Sequence, residues 1–329
     1  LRLSKLAPEV PLGYLTYFAG PTIPWSLVPF SSTTVQNTEF TASYKNNSLG
    51  FRDREHSIEK LPGTKRVLLV GDSFTYGLGA EYEQSFPFVL EKRLNSNSIS
   101  SLGQRFEVIN MGVPSYYPEL EYLTVKYKGS QFKPDLILVA FVPNDVIETY
   151  LGRVTVNNGL LITRRAERLG KLGLWLYSHS HLVRTTYKLV DWALYSSTAD
   201  PDSVPTYDTV FQAGTYEKDW QKIESDYAQI ANLAKRLGSK MGIIYIPQER
   251  DLKMANPRAL LERLTRWAHQ HDAMMIETLS AFEAGVKNEK LFYPLDGHCT
   301  PAGYDLIGTT VAEALLGTKG ERHPTSSLP

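Results

Sequence analysis

From Lys65 to about residue 316 the chain alternates short, almost wholly apolar runs with longer stretches in which apolar residues return every three or four positions. The runs Val67–Val70, Phe106–Ile109, Leu136–Phe141, Gly242–Ile246 and Met274–Ile276 are rich in β-branched residues and have the character of strands buried on both faces. The amphipathic stretches between them are Pro87–Leu94, Glu119–Tyr127, Asp219–Leu237, Pro257–His269 and Ala302–Leu316, with Ser85 and Asn256 placed to cap two of them. Such alternation predicts an α/β fold, a three-layer α/β/α sandwich on a parallel sheet of about five strands.

The flanks lack this pattern. Residues 1–63 are rich in Pro, Ser, Thr and Asn without a sustained period and read as an irregular N-terminal extension packing on the core. Residues 64–317 form the predicted domain, and 318–329 a flexible tail. Within the domain, about 148–216 breaks the alternation with two helical stretches, Leu172–Tyr177 and His181–Leu194, followed by a polar loop over Ser196–Pro205. An inserted helical segment of this kind either covers a site beyond the carboxyl edge of the sheet or simply packs there.

Composition narrows the partners. Hydrophobic residues at 42% and charged residues at 21% suit a globular protein. With 35 basic and 35 acidic residues the net charge is zero, so the field that draws a chain to nucleic acid is missing. One cysteine, Cys299, excludes an intrachain disulfide framework. No apolar run reaches the ~20 residues that span a bilayer, and because the chain begins at Leu1 a membrane tether upstream is an expectation.

The candidate chemistry starts where Val67–Val70 runs into Gly71-Asp72-Ser73. In an open parallel sheet ligands bind beyond the carboxyl ends of the strands, and Ser73 lies at such an end. A serine hydroxyl becomes a nucleophile when an imidazole takes its proton and an acceptor orients the imidazole. Among seven histidines, His298 in Asp296-Gly297-His298 is the one with a carboxylate at close range before the last helix. The pairs His179/His181 and His269/His271 cannot share a helix face, and no metal site or cofactor is expected. Oxyanion donors are offered by Gly112, after the second strand, and Asn144, after the third, although glycine and asparagine also end strands for structural reasons alone. The aromatics Tyr116, Tyr117 and Trp175 suit sugar stacking or the core, the core being the preferred reading.

In order, Gly71-Asp72-Ser73-Phe74, Gly112, Asn144-Asp145 and Asp296-Gly297-His298 resemble the blocks of the SGNH (GDSL-type) serine hydrolases over about residues 65–316. The resemblance implies a flavodoxin-like sheet and ester chemistry through a covalent acyl-enzyme. Ser73 would be nucleophile, His298 general base and acid, and Asp296 its orienting group. The backbone N–H groups of Ser73 and Gly112 and the Asn144 side chain would form the oxyanion hole. Two positions depart from the family pattern. The spacing is Asp-x-His rather than Asp-x-x-His, as in alginate-type O-acetyltransferases of related fold, and Val142 stands where a glycine often begins the asparagine block. Asn47-Ser48-Leu49-Gly50-Phe51-Arg52-Asp53 is similar to a segment of bacterial members often tethered by an N-terminal helix and linked to cell-surface polysaccharides. Leu49 and Phe51 are expected to dock it. The expected activity is therefore a serine esterase on O-acyl, above all acetyl, esters of a carbohydrate or similar small molecule, in a periplasmic or extracytoplasmic membrane-anchored setting. The alternatives are an O-acyltransferase with the same residues, a lipid esterase or thioesterase using Leu174–Leu176 as an acyl channel, and a non-catalytic polysaccharide-binding protein.

Overall fold

The computed structural model describes residues 17–96, 105–151, 155–157, 160–162, 166–198, 214, 216–254 and 256–317. Its centre is a parallel sheet of five strands, β5 (Thr64–Val70), β6 (Arg105–Asn110), β7 (Leu136–Phe141), β10 (Lys240–Tyr245) and β11 (Met274–Glu277), in the order β11-β10-β7-β5-β6. The sheet thus runs outward in both directions from β5 and β7, as in doubly wound folds, where the loops at the carboxyl edge form the site. All six residues of β7 are buried, which is why the run Leu136–Phe141 carries no polar position at all.

Successive side chains on each strand enter different layers. Leu68, Val70, Ile137, Val139, Ile243 and Tyr245 face one core, built with the helices Glu217–Leu237 and Ala259–Gln270. Val67, Leu69, Leu136, Leu138, Ala140 and Ile244 face the other, against the helices Phe86–Leu94 and Pro301–Leu316. The three-layer α/β/α reading stands, with each expected strand within three residues of its observed bounds.

The N-terminal part departs from the irregular extension expected. Residues 17–45 include two antiparallel pairs, β1 (Tyr17–Phe18) with β2 (Ser26–Leu27) and β3 (Ser32–Gln36) with β4 (Thr41–Lys45). In β4 the buried Ala42 and Tyr44 alternate with exposed Thr41, Ser43 and Lys45, a period of two hidden by its loop-like composition. Trp25, Leu27, Tyr44 and Phe51 join the same core as β5 and β7, so the segment packs on one face of the sheet.

The insertion carries the two expected helices, Gly170–His179 and His181–Thr198, preceded by a short hairpin of β8 (Thr155–Asn157) and β9 (Leu160–Ile162). Trp175 is 55% exposed, which overturns its reading as core, whereas Tyr116 and Tyr117 are buried. Most of the polar loop at 196–205, residues 1–16 and the tail 318–329 lie outside the described residues. Among the described residues no helix is long and apolar enough to cross a membrane.

Candidate active site

The end of β5 makes the first half of the site. Gly71 is needed by close approach, since a Cβ there would lie 3.0 Å from the Ala140 Cβ. Asp72 caps the one-turn helix Ser73–Tyr76 by accepting the Phe74 N–H at 2.9 Å, and Gly77 closes it in the left-handed region at φ +82°. Ser73 is the first residue of that turn, a position whose N–H has no intrahelical acceptor. The strand end therefore presents both a hydroxyl and an unclaimed type of backbone donor.

The second half is the turn before the last helix. Gly297 donates to the Tyr293 carbonyl at 2.8 Å and takes φ +87°, and Tyr293 donates to the His298 carbonyl at 2.9 Å. Glu39, between β3 and β4, accepts the Asp296 N–H at 2.7 Å and the Leu295 N–H at 3.1 Å. Inside this turn Asp296 Oδ1 accepts the His298 N–H at 3.3 Å and lies 2.6 Å from His298 Nδ1. His298 Nε2 is 2.7 Å from Ser73 Oγ, and the imidazole packs on the Phe74 ring with centroids 5.0 Å apart. Two residues of spacing suffice because the carboxylate folds back on its own turn. The His298 and Asp296 side chains are each 20% exposed. Burial opposes ionisation of Asp296, but the hydrogen bonds and charge of His298 outweigh it and hold the carboxyl below the usual carboxylate range. An ionised Asp296 favours the tautomer with Nδ1 protonated, which leaves Nε2 as an acceptor for a hydrogen bond from the Ser73 hydroxyl.

Asn144 begins the helix Asn144–Leu151 after β7, and its Nδ2 donates to Asp72 Oδ2 at 3.1 Å and Glu148 Oε1 at 3.3 Å. Asp72 thus links the Ser73 turn to Asn144. Burial pushes the Asp72 carboxyl up, against the opposing pull of its bonds to Asn144 and Phe74. Gly112 packs against the Ser73 turn so tightly that a Cβ would sit 2.6 Å from Tyr76 N, while its own N–H is held by Asn110 Oδ1 at 2.9 Å. The four expected blocks are brought to one sheet edge, with both outer oxyanion candidates already hydrogen-bonded within the protein.

Beneath Asn144 lies a set of acids that the sequence did not single out. Glu121 and Asp145 are fully buried, and burial together with the neighbouring carboxylates Asp72 and Glu148 pushes both well above the usual range. Neither Glu121 oxygen has a hydrogen-bond partner among the described residues. No group of three or more His, Cys, Asp or Glu side chains among those residues is arranged to hold a metal ion. A cavity of about 120 Å³ lies elsewhere, between Asn47, Leu49, Phe51, His56, Ile109 and Phe132, and contains none of the four blocks.

No protein-family profile matches the chain, and no curated protein matches it. Solved structures do. A lipase/acylhydrolase from Enterococcus faecalis is 14% identical, with 78% of this chain and 99% of that one covered at a TM-score of 0.44. An acetyl-xylooligosaccharide esterase from Geobacillus, solved as a mutant, is 13% identical over 80% of this chain and 97% of its own, at a TM-score of 0.45. A putative lipolytic protein of the G-D-S-L family from Desulfitobacterium hafniense is 14% identical over 76% and 98%, at a TM-score of 0.41.

Proposed function

We propose that the chain is a serine esterase of the SGNH (GDSL) type that cleaves O-acyl esters through a covalent acyl-enzyme. The observation that supports it is the unbroken line from Asp296 Oδ1 through His298 to Ser73 Oγ, with contacts of 2.6 and 2.7 Å, at the carboxyl edge of a parallel sheet. Ser73 Oγ attacks the ester carbonyl while Nε2 takes its proton. The oxyanion is held by the Ser73 N–H and by Asn144 Nδ2, which exchanges its longer bond to Glu148 for the substrate oxygen. Gly112 N–H joins them when the bond to Asn110 is shared. Collapse breaks the ester C–O bond, and His298 returns the proton to the departing alcohol. Water, giving its proton to the same Nε2, then attacks the acyl carbon; the bond to Ser73 Oγ breaks, Oγ takes the proton back from His298, and the carboxylic acid leaves.

Partial exposure of Ser73, Asp296 and His298 leaves the acyl-enzyme open to water and favours hydrolysis over transfer. The acetyl group and the carbohydrate alcohol rest on the sequence resemblance. Their test is a series of acetyl, butyryl and octanoyl nitrophenyl esters, with acetate release from acetylated oligosaccharides measured alongside. Turnover should be greatest for acetyl and vanish in Ser73→Ala; a strong octanoyl preference overturns the acetyl reading, and turnover retained by Ser73→Ala overturns the nucleophile.

A further inference from the structure

Two consecutive residues of the N-terminal segment brace the Ser73 turn, one directly and one through the Gly112 loop that packs on it. Arg52 is 1% exposed. Its Nη1 donates to the carbonyls of Gly77 at 2.6 Å and Tyr76 at 3.3 Å, and its Nη2 to those of Ala80 at 2.7 Å and Ser43 at 2.9 Å. The guanidinium also lies over the rings of Tyr44, at 4.4 Å, and Tyr76, at 5.6 Å. A buried cation is costly to hold, and here its hydrogen-bond partners are main-chain oxygens rather than a carboxylate. Three of those four oxygens belong to the end of the one-turn helix that carries Ser73 and to the loop that follows it. A helix of one turn has almost no stability of its own and leaves its last carbonyls without partners. Arg52 supplies those partners from another part of the chain.

Asp53 acts on the end of β6. Its Oδ2 accepts the Asn110 N–H at 2.7 Å and faces His56 Nε2 at 2.9 Å, and its Oδ1 accepts the Tyr82 hydroxyl at 2.7 Å. Asn110 ends β6, donates its amide to the Arg52 carbonyl at 3.2 Å and accepts the Gly112 N–H at 2.9 Å. Gly112 in turn abuts Thr75 and Tyr76. The order Arg52-Asp53 therefore reaches Ser73 by two routes, one through carbonyls and one through Asn110 and Gly112. Other contacts dock the same segment without touching either route: Lys128 Nζ donates to the Leu49 carbonyl at 2.9 Å and stands 4.9 Å from the Phe51 ring centroid.

We propose that Arg52 and Asp53 are positioning residues for ester cleavage, setting the Ser73 turn and the Gly112 loop in register with His298. This rests on the esterase reading of Ser73 and adds to it the part played by the N-terminal segment.

The test compares Arg52→Lys, Asp53→Asn and Lys128→Met in the full chain, following steady-state hydrolysis of p-nitrophenyl acetate, the rate of Ser73 labelling by a fluorophosphonate, and thermal melting. Misplacing a reacting group by about 1 Å can cost about 100-fold, so the first two variants should lose about 10- to 100-fold in kcat and in labelling rate with KM changed less than about threefold. Lys128→Met should melt lower yet keep the parent kcat. If Asp53→Asn does not fold, Asn110→Ala removes the acceptor of the Gly112 N–H and carries the same expectation. Folded variants that react at the parent rate, or Lys128→Met losing kcat by the same factor, overturn the proposal while leaving the esterase reading intact. A parent protein that neither turns over ester nor is labelled at Ser73 overturns that reading and the proposal with it.

Discussion

Asp296→Asn isolates what the carboxylate charge does for His298. In the parent, Oδ1 faces Nδ1 at 2.6 Å and is also fixed by the His298 N–H at 3.3 Å. An asparagine keeps that oxygen, and the backbone N–H favours the rotamer in which the oxygen, not the amide nitrogen, meets Nδ1. The tautomer is then preserved and only the charge is lost. A hydrogen bond to a charged group contributes about 1.5–3 kcal/mol and a neutral one about 0.5–1.5, so the difference is about 1–2 kcal/mol. At 1.36 kcal/mol per factor of ten, kcat/KM for p-nitrophenyl acetate should fall about 5- to 30-fold. Asp296→Ala, which frees the ring to take the other tautomer, should fall much further. An Asp296→Asn enzyme at the parent rate refutes the orienting role. A loss near the ~10⁴-fold seen when an amide imposes the wrong tautomer would show that the turn does not hold the oxygen in place.

Other outcomes follow from neighbouring groups. Gly112→Ala places a methyl group 2.6 Å from Tyr76 N, so melting should drop by about 2–6 °C, as overpacking of about 1–3 kcal/mol implies, with a large loss of kcat; parent-like values would mean that the Gly112 loop is free to move. Glu121 and Asp145 are raised in the folded state above their unfolded range, so the folded protein holds more protons than the unfolded one and stability should decline as pH rises above the usual carboxylate range. Glu121→Gln should flatten that decline in melting temperature between about pH 5 and about pH 8 and raise stability at the upper end, whereas an unchanged slope would show the acid to be ionised and solvated. His298→Ala should abolish fluorophosphonate labelling, and labelling at the parent rate would mean that another group takes the Ser73 proton.

The sheet was legible because parallel strands buried on both faces leave no polar position, as in Leu136–Phe141, and Ser73 was legible because such a strand ends on a turn of small residues. His298 could be found from one carboxylate at short range, but only the folded turn shows how Asp296 reaches Nδ1 with a single residue between them. The supports were not legible. Arg52 stands in a polar stretch and binds main-chain carbonyls, which leave no mark on the sequence of their own segment. The apolar character of Leu49 and Phe51 marks them as docking residues, although the adjacent Arg52 and Asp53 make the contacts that reach the site. The β3–β4 pair was hidden by outward-facing Ser and Thr, and Trp175 shows the converse, an aromatic residue whose type suggests core and whose helix leaves it in solvent.

Ester cleavage here depends on Ser73 being a nucleophile activated by His298. Incubation of the folded protein with a fluorophosphonate, followed by peptide mapping, reads that activation out. A single adduct on Ser73 should form in the parent and not in His298→Ala. Folded protein that remains unmodified, or that carries its adduct on another residue, contradicts it.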